Sequence, residues 1–142
     1  MEIIIIVILI LCMVIILPWM IKKDFEKRML AGLRREMTRN IELLGEYNRG
    51  IQNSQRTTQG SNQAGENIPP LILKDEVFRK IQRMDFCSKG LRDEDKDLLE
   101  RVFATSSHKV MHASVGDDQK LCAENMRILS DVLSRLTAYI KD

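Results

Sequence analysis

The chain has none of the compact signatures that announce an enzyme. It contains no glycine-rich phosphate loop, no G-x-S-x-G nucleophile elbow, no CxxC pair and no N-x-[ST] sequon. Its three cysteines, Cys12, Cys87 and Cys122, are too dispersed to form a disulfide framework. Only Cys87 and Cys122 could pair, and a reducing cytoplasm would keep both as thiols. Strand-like alternation is also missing, and no internal repeat is visible. These gaps exclude phosphate-loop, serine-hydrolase and thiol-redox chemistry at the level of motif, and they leave a helical chain.

One long apolar run dominates. After Met1-Glu2, nineteen residues from Ile3 to Ile21 carry no charge, and Lys22-Lys23 follow at once. At the helical rise this run spans about 28 Å, close to the hydrocarbon thickness of a bilayer, about 30 Å. It is apolar on every face, unlike a helix that packs one stripe on a soluble core. A transmembrane helix over residues 1–21 is therefore expected. A cleavable signal peptide would open with positive charge and close on small residues. Here the leading charge is Glu2 and no small-x-small site follows. Leu9-Ile10-Leu11 before Cys12 also lacks the small residue of a lipidation site.

Every one of the 22 Lys and Arg residues follows the run, against 19 acidic residues. The net +3 of the remainder is too mild to imply a nucleic-acid partner. The positive charge is concentrated beside the run: residues 22 to 39 hold seven basic and three acidic side chains. This bias places the N-terminus outside and the C-terminal domain in the cytoplasm, at the inner membrane. Lys22, Lys23, Lys27 and Arg28 are the expected contacts with the bilayer surface, where each basic residue gains about 1 kcal/mol from anionic lipid. Trp19 suits the interface, with its ring in lipid and its N–H in water.

Beyond Lys22 the pattern is helical. Residues 22–51 form a basic amphipathic helix with Met29, Leu30, Leu33, Met37, Ile41, Leu44, Tyr47 and Ile51 on one stripe, and Gly50 is its expected terminator. Residues 52–67 hold no aliphatic side chain larger than Ala64 and read as a flexible linker. Ile68-Pro69-Pro70 then leads into a short helix carrying Leu71, Leu73, Val77, Phe78, Ile81 and Met84. Asp93 is an expected N-cap for a third helix with Leu99, Val102, Phe103, Ser106, Val110 and Ala113 on one face. Gly116 and Asp117 are expected in the following turn. The last helix carries Leu121, Cys122, Ile128, Leu129, Val132, Leu133, Leu136, Tyr139 and Ile140. The expected fold class is all-α: a transmembrane helix followed by a small antiparallel bundle, in which residues 68–142 pack with 22–51.

Few side chains suggest chemistry. His108 and His112 are four apart, a spacing that brings two imidazoles to one metal, but no glutamate lies between them and no third ligand can be named. The run Asp93, Glu94, Asp95, Asp97 and Glu100 has Leu98 and Ala104 where a calcium loop needs glycine and glutamate, so it reads as capping and solvated face. No catalytic, metal or cofactor residue is expected. Asn40 and Asn125 fall on the apolar stripes of the first and last helices. A buried amide needs a partner, and the two could form one polar seam that fixes register.

The stretch Arg39–Leu44 ("RNIELL"), Ile68-Pro69 before Val77-Phe78, and the late-helix Asn125 resemble a loose class of small prokaryotic single-span membrane proteins with helical domains and no assigned activity. The second proline, Pro70, and the Gly/Gln-rich linker depart from that pattern. The resemblance implies architecture and no reaction. The function expected from the residues is a non-enzymatic, membrane-tethered module that binds a protein partner or self-associates. A structural stalk subunit and a metal-dependent sensor using His108 and His112 are the alternatives.

Overall fold

The computed structural model describes residues 2–58, 71–84, 86–106 and 115–141. Four helices account for most of them: α1 (Glu2–Thr58), α2 (Glu76–Arg83), α3 (Asp93–Thr105) and α4 (Val115–Lys141). No strand occurs among the described residues; one isolated bridge joins Ser88 and Leu91.

α1 is a single helix of 57 residues, about 85 Å long at the helical rise. Pro18 lies inside it without ending it. Residues 3 to 25 are all exposed, and none of the strongly apolar window is buried. From Met29 onward the stripe expected from periodicity turns inward: Leu30, Leu33, Met37 and Leu44 are fully buried. They join Phe78, Ile81, Leu99, Val102, Leu129 and Leu136 in one core cluster. α1 meets α4 at two levels: the Tyr139 hydroxyl donates to Glu26 Oε1 at 2.9 Å, and the Cys122 thiol points to the Leu44 carbonyl at 3.6 Å. α2 and α3 meet through Phe78 and Phe103, stacked with centroids 5.1 Å apart.

Several expected boundaries move. Gly50 does not end α1, which runs on to Thr58 through the first part of the expected linker. A single interior glycine costs only about 1 kcal/mol, and Ile51 beyond it is buried, which outweighs that cost. The rest of the linker, with Ile68, Pro69 and Pro70, lies outside the described residues. Arg92, not Asp93, is the N-cap of α3, and Asp93 is its first helical residue. α3 ends at Thr105 with Ser106 as its C-cap, and the Ser106 hydroxyl accepts from Asn125 of α4; Val110 and Ala113 lie outside the described residues. Gly116 and Asp117 belong to α4 rather than to a turn, and Asp117 and Asp118 there complement the positive end of the helix.

Candidate functional site

The buried polar residues sit where helices join. Asn40 and Glu36, one turn apart on α1, hold the start of α2. Asn40 Nδ2 donates to the Lys74 carbonyl at 2.6 Å, and its Oδ1 accepts from the Lys74 amide at 2.8 Å. The side-chain amide thus imitates a backbone partner for one residue of extended chain. Glu36 accepts from the amides of Val77 and Phe78 at 2.8 and 3.0 Å. Those amides are among the orphan donors of the first turn of α2, whose own N-cap, Asp75, makes no capping hydrogen bond. A carboxylate from a different helix therefore caps α2. Burial pushes the Glu36 carboxyl above its usual range, against the two amides that favour its charge.

Asn125 serves a separate joint. Its Nδ2 donates to Ser106 Oγ at 2.8 Å and to Thr105 Oγ1 at 3.1 Å, tying α4 to the end of α3. Asn40 and Asn125 thus do not pair with each other: each has its own partners, and the single seam joining them is replaced by two joints. The reason is topological: Asn40 faces the backbone of the chain entering α2, and Asn125 faces the hydroxyls at the end of α3.

The other end of α3 is fixed by Asp95, which is buried rather than solvated. Asp95 Oδ2 accepts from the Arg92 amide at 3.1 Å, and Oδ1 accepts from Arg135 of α4 at 2.5 Å. Burial works to raise the Asp95 carboxyl, but Arg135, with help from Arg92, outweighs it and holds the group below its ordinary value. The acidic run of the sequence thus contains one structural carboxylate among solvated ones. Cys122, buried near Asp118, has its thiol pushed up to about 11, so it stays protonated and unreactive at neutral pH.

At the level of Glu26, α1, α4 and the turn after α2 converge. Ser88 Oγ donates to Glu26 Oε1, which also accepts from Tyr139. The Gly90 amide donates to Ser88 Oγ at 3.1 Å. A Cβ on Gly90 would lie 2.3 Å from the Tyr139 ring, so only glycine lets the turn lie against α4 without displacing the ring. Phe25 and Phe86 add an edge-on contact with centroids 6.4 Å apart.

Of the expected surface residues, Lys22, Lys23, Lys27 and Arg28 are all exposed on α1. Lys23 lies over the Trp19 ring at 5.1 Å, and Arg28 pairs with Asp24 at 2.7 Å. His108 and His112 lie outside the described residues. Among the described residues, no group of three His, Cys, Asp or Glu could hold a metal ion. Sequence reasoning missed Glu36, Asp95 and Arg135. A partial signal existed for Glu36, which sits one turn before Asn40 and beside Met37 on the apolar stripe. Comparison with protein-family models, curated proteins and solved structures finds no match for this chain. Among the described residues the chain is helical without strands, and one N-terminal helix is long and apolar enough to cross a membrane.

Proposed function

We propose that this protein is a single-pass, membrane-tethered interaction module without enzymatic activity. Residues 3–21 cross the bilayer, the N-terminus lies outside, and α2, α3 and α4 form an antiparallel helical bundle with the part of α1 that follows the span, at the cytoplasmic face of the inner membrane. The observation that carries this reading is the change of exposure within α1. Apolar side chains are exposed throughout residues 3–21 and mostly buried along one stripe from Met29 to Ile51, on one uninterrupted helix. Water would not tolerate the first pattern, and lipid would not require the second.

The antiparallel arrangement is supported by paired levels. Glu26 meets Tyr139 and Leu44 meets Cys122, so residue numbers rise on α1 as they fall on α4. Asp95 with Arg135 and Ser106 with Asn125 give the same relation for α3 and α4. The orientation rests on the basic residues after the span, Lys22, Lys23, Lys27 and Arg28. Tethering suits an interaction module because confinement raises the effective concentration of a second contact without new affinity.

Topology and partnership have separate tests. Cys87 is exposed and Cys122 is buried, so Cys87 is the usable reporter. An impermeant maleimide applied to intact cells should leave Cys87 unmodified and modify it after lysis; modification in intact cells would place the domain outside. Cross-linking the full chain in its own membrane, followed by mass analysis, should give a discrete adduct, either a homodimer or a defined second protein. A chain that stays monomeric and free of adducts would contradict the interaction reading.

A further inference from the structure

We infer that the turn before α3, residues 86–90, is a second membrane contact that docks the bundle on anionic lipid headgroups. The inference rests on the reading of residues 3–21 as the span. If that helix ends its apolar passage at Ile21, Glu26 lies five residues further, about 7.5 Å along the axis. The polar layer on each side of a bilayer is about 5–7.5 Å deep. The level of Phe25 and Glu26 is therefore the headgroup level.

The turn is fixed at this level by Phe86 against Phe25 and by Ser88 on Glu26. The end of α4 is brought there by Tyr139 on the same carboxylate. Outside the apolar run, the large hydrophobic side chains exposed among the described residues are Phe25, Ile72, Met84 and Tyr139. Phe25 and Tyr139 lie at this end by the contacts above, and Met84 closes α2 two residues before Phe86. Ile72 lies near the Asn40 level instead, two residues before Lys74; a water-facing end has no reason to collect Phe25, Met84 and Tyr139, whereas an interfacial surface does.

The charge at this end complements an anionic surface. Lys89 in the turn and Arg83 at the end of α2 are exposed, as are Lys22, Lys23 and Lys27 on α1. Of the acids described near this end, Asp24 pairs with Arg28, Glu26 accepts from Ser88 and Tyr139, Asp93 pairs with Lys96, and Glu94 lies 3.8 Å from Arg92; Asp85 lies outside the described residues. A tether at one point lets a domain tilt about its stalk. A second contact, off the axis of α1, fixes which face of the bundle looks into the cytoplasm.

The test uses the full chain in vesicles of phosphatidylcholine with phosphatidylglycerol. A fluorophore on Cys87 (with Cys12→Ala) is compared with one on Arg49→Cys (with Cys12→Ala and Cys87→Ser). Arg49 is exposed on α1, 23 residues beyond Glu26, about 35 Å from the headgroup level. Headgroup-nitroxide lipid should quench the Cys87 probe several-fold more than the Arg49→Cys probe. Lys89→Glu, or omission of phosphatidylglycerol, should weaken that quenching. Equal quenching of the two probes, while brominated acyl chains still quench Trp19, would overturn the docking and leave the span intact. Strong quenching indifferent to Lys89→Glu and to lipid charge would overturn the anionic-headgroup assignment. Failure of brominated lipid to quench Trp19 would overturn the span and the docking together.

Discussion

The two halves of α1 share one backbone and obey opposite rules. Between Ile3 and Ile21 the side chains are apolar on all faces and all exposed. Between Met29 and Ile51 they are apolar on one stripe, and most of that stripe is buried. The first half gains nothing from the rest of the chain, and the second half is the wall on which α2 and α4 pack, with α3 set against α4. The difference shows that helical periodicity reports the surroundings rather than the helix. A helix with a one-sided stripe has a protein neighbour, and a helix apolar all round asks for a uniform apolar solvent.

The sharpest way to break this contrast is truncation of one large side chain in each half. Leu33→Ala, at a fully buried position, should cost about 2–5 kcal/mol. Ile10→Ala, at a side chain 58% exposed, should leave bundle stability unchanged. Denaturant melts of both variants in mild detergent make the comparison, and equal losses would mean that the first half also packs on the bundle.

Next in size are the polar joints. Asn40→Leu removes both bonds to the Lys74 backbone, and Arg135→Ala takes a principal partner from buried Asp95; each should cost about 1–3 kcal/mol. Because Asn40 and Asn125 serve different joints, Asn40→Leu and Asn125→Leu should add to within about 0.5 kcal/mol. A double-mutant cycle showing larger coupling would restore a shared seam. Gly90→Ala should cost about 1–3 kcal/mol through overpacking against Tyr139, and Tyr139→Ala in the same chain should relieve most of that loss in a thermal melt.

The smallest effect is a pH dependence. Glu36 has a folded pKa above its unfolded value near 4.5. Its contribution is thus fully present below pH 4.5 and is lost as pH rises through the folded pKa. Asp95 is depressed from 3.8, so its contribution holds above that pH and disappears as pH falls through the lower folded value. Stability should therefore gain a Glu36 increment on acidification from neutral towards pH 4.5, then lose the Asp95 increment below about 3.8. Glu36→Gln should abolish the first change and keep the second. Melts across this range check both.

The helical class, the apolar run, and most of the stripes of α1 and α4 were legible because periodicity records burial directly. The ends of elements were less so. Gly50 and Gly116 carry local signals for turns, and tertiary burial of Ile51 and the acidic first turn of α4 override them. The candidate site was legible only in part. Asn40 and Asn125 stood out as amides on apolar stripes, but their partners are the Lys74 backbone and the Thr105–Ser106 hydroxyls, and pairing across elements leaves no local pattern. Asp95 was hidden for a related reason: it sits in a run of acids, and only the approach of Arg135 distinguishes it from its solvated neighbours.

The central claim is that α1 passes from lipid into the bundle between Ile21 and Met29, and extraction tests it most directly. Membranes carrying the full chain, and cells carrying residues 22–142 alone, are treated with alkaline carbonate. The account predicts that the full chain stays in the membrane pellet while the shorter chain is soluble, helical and melts cooperatively. A full chain released by carbonate, or a shorter chain that needs detergent to remain folded, would contradict it.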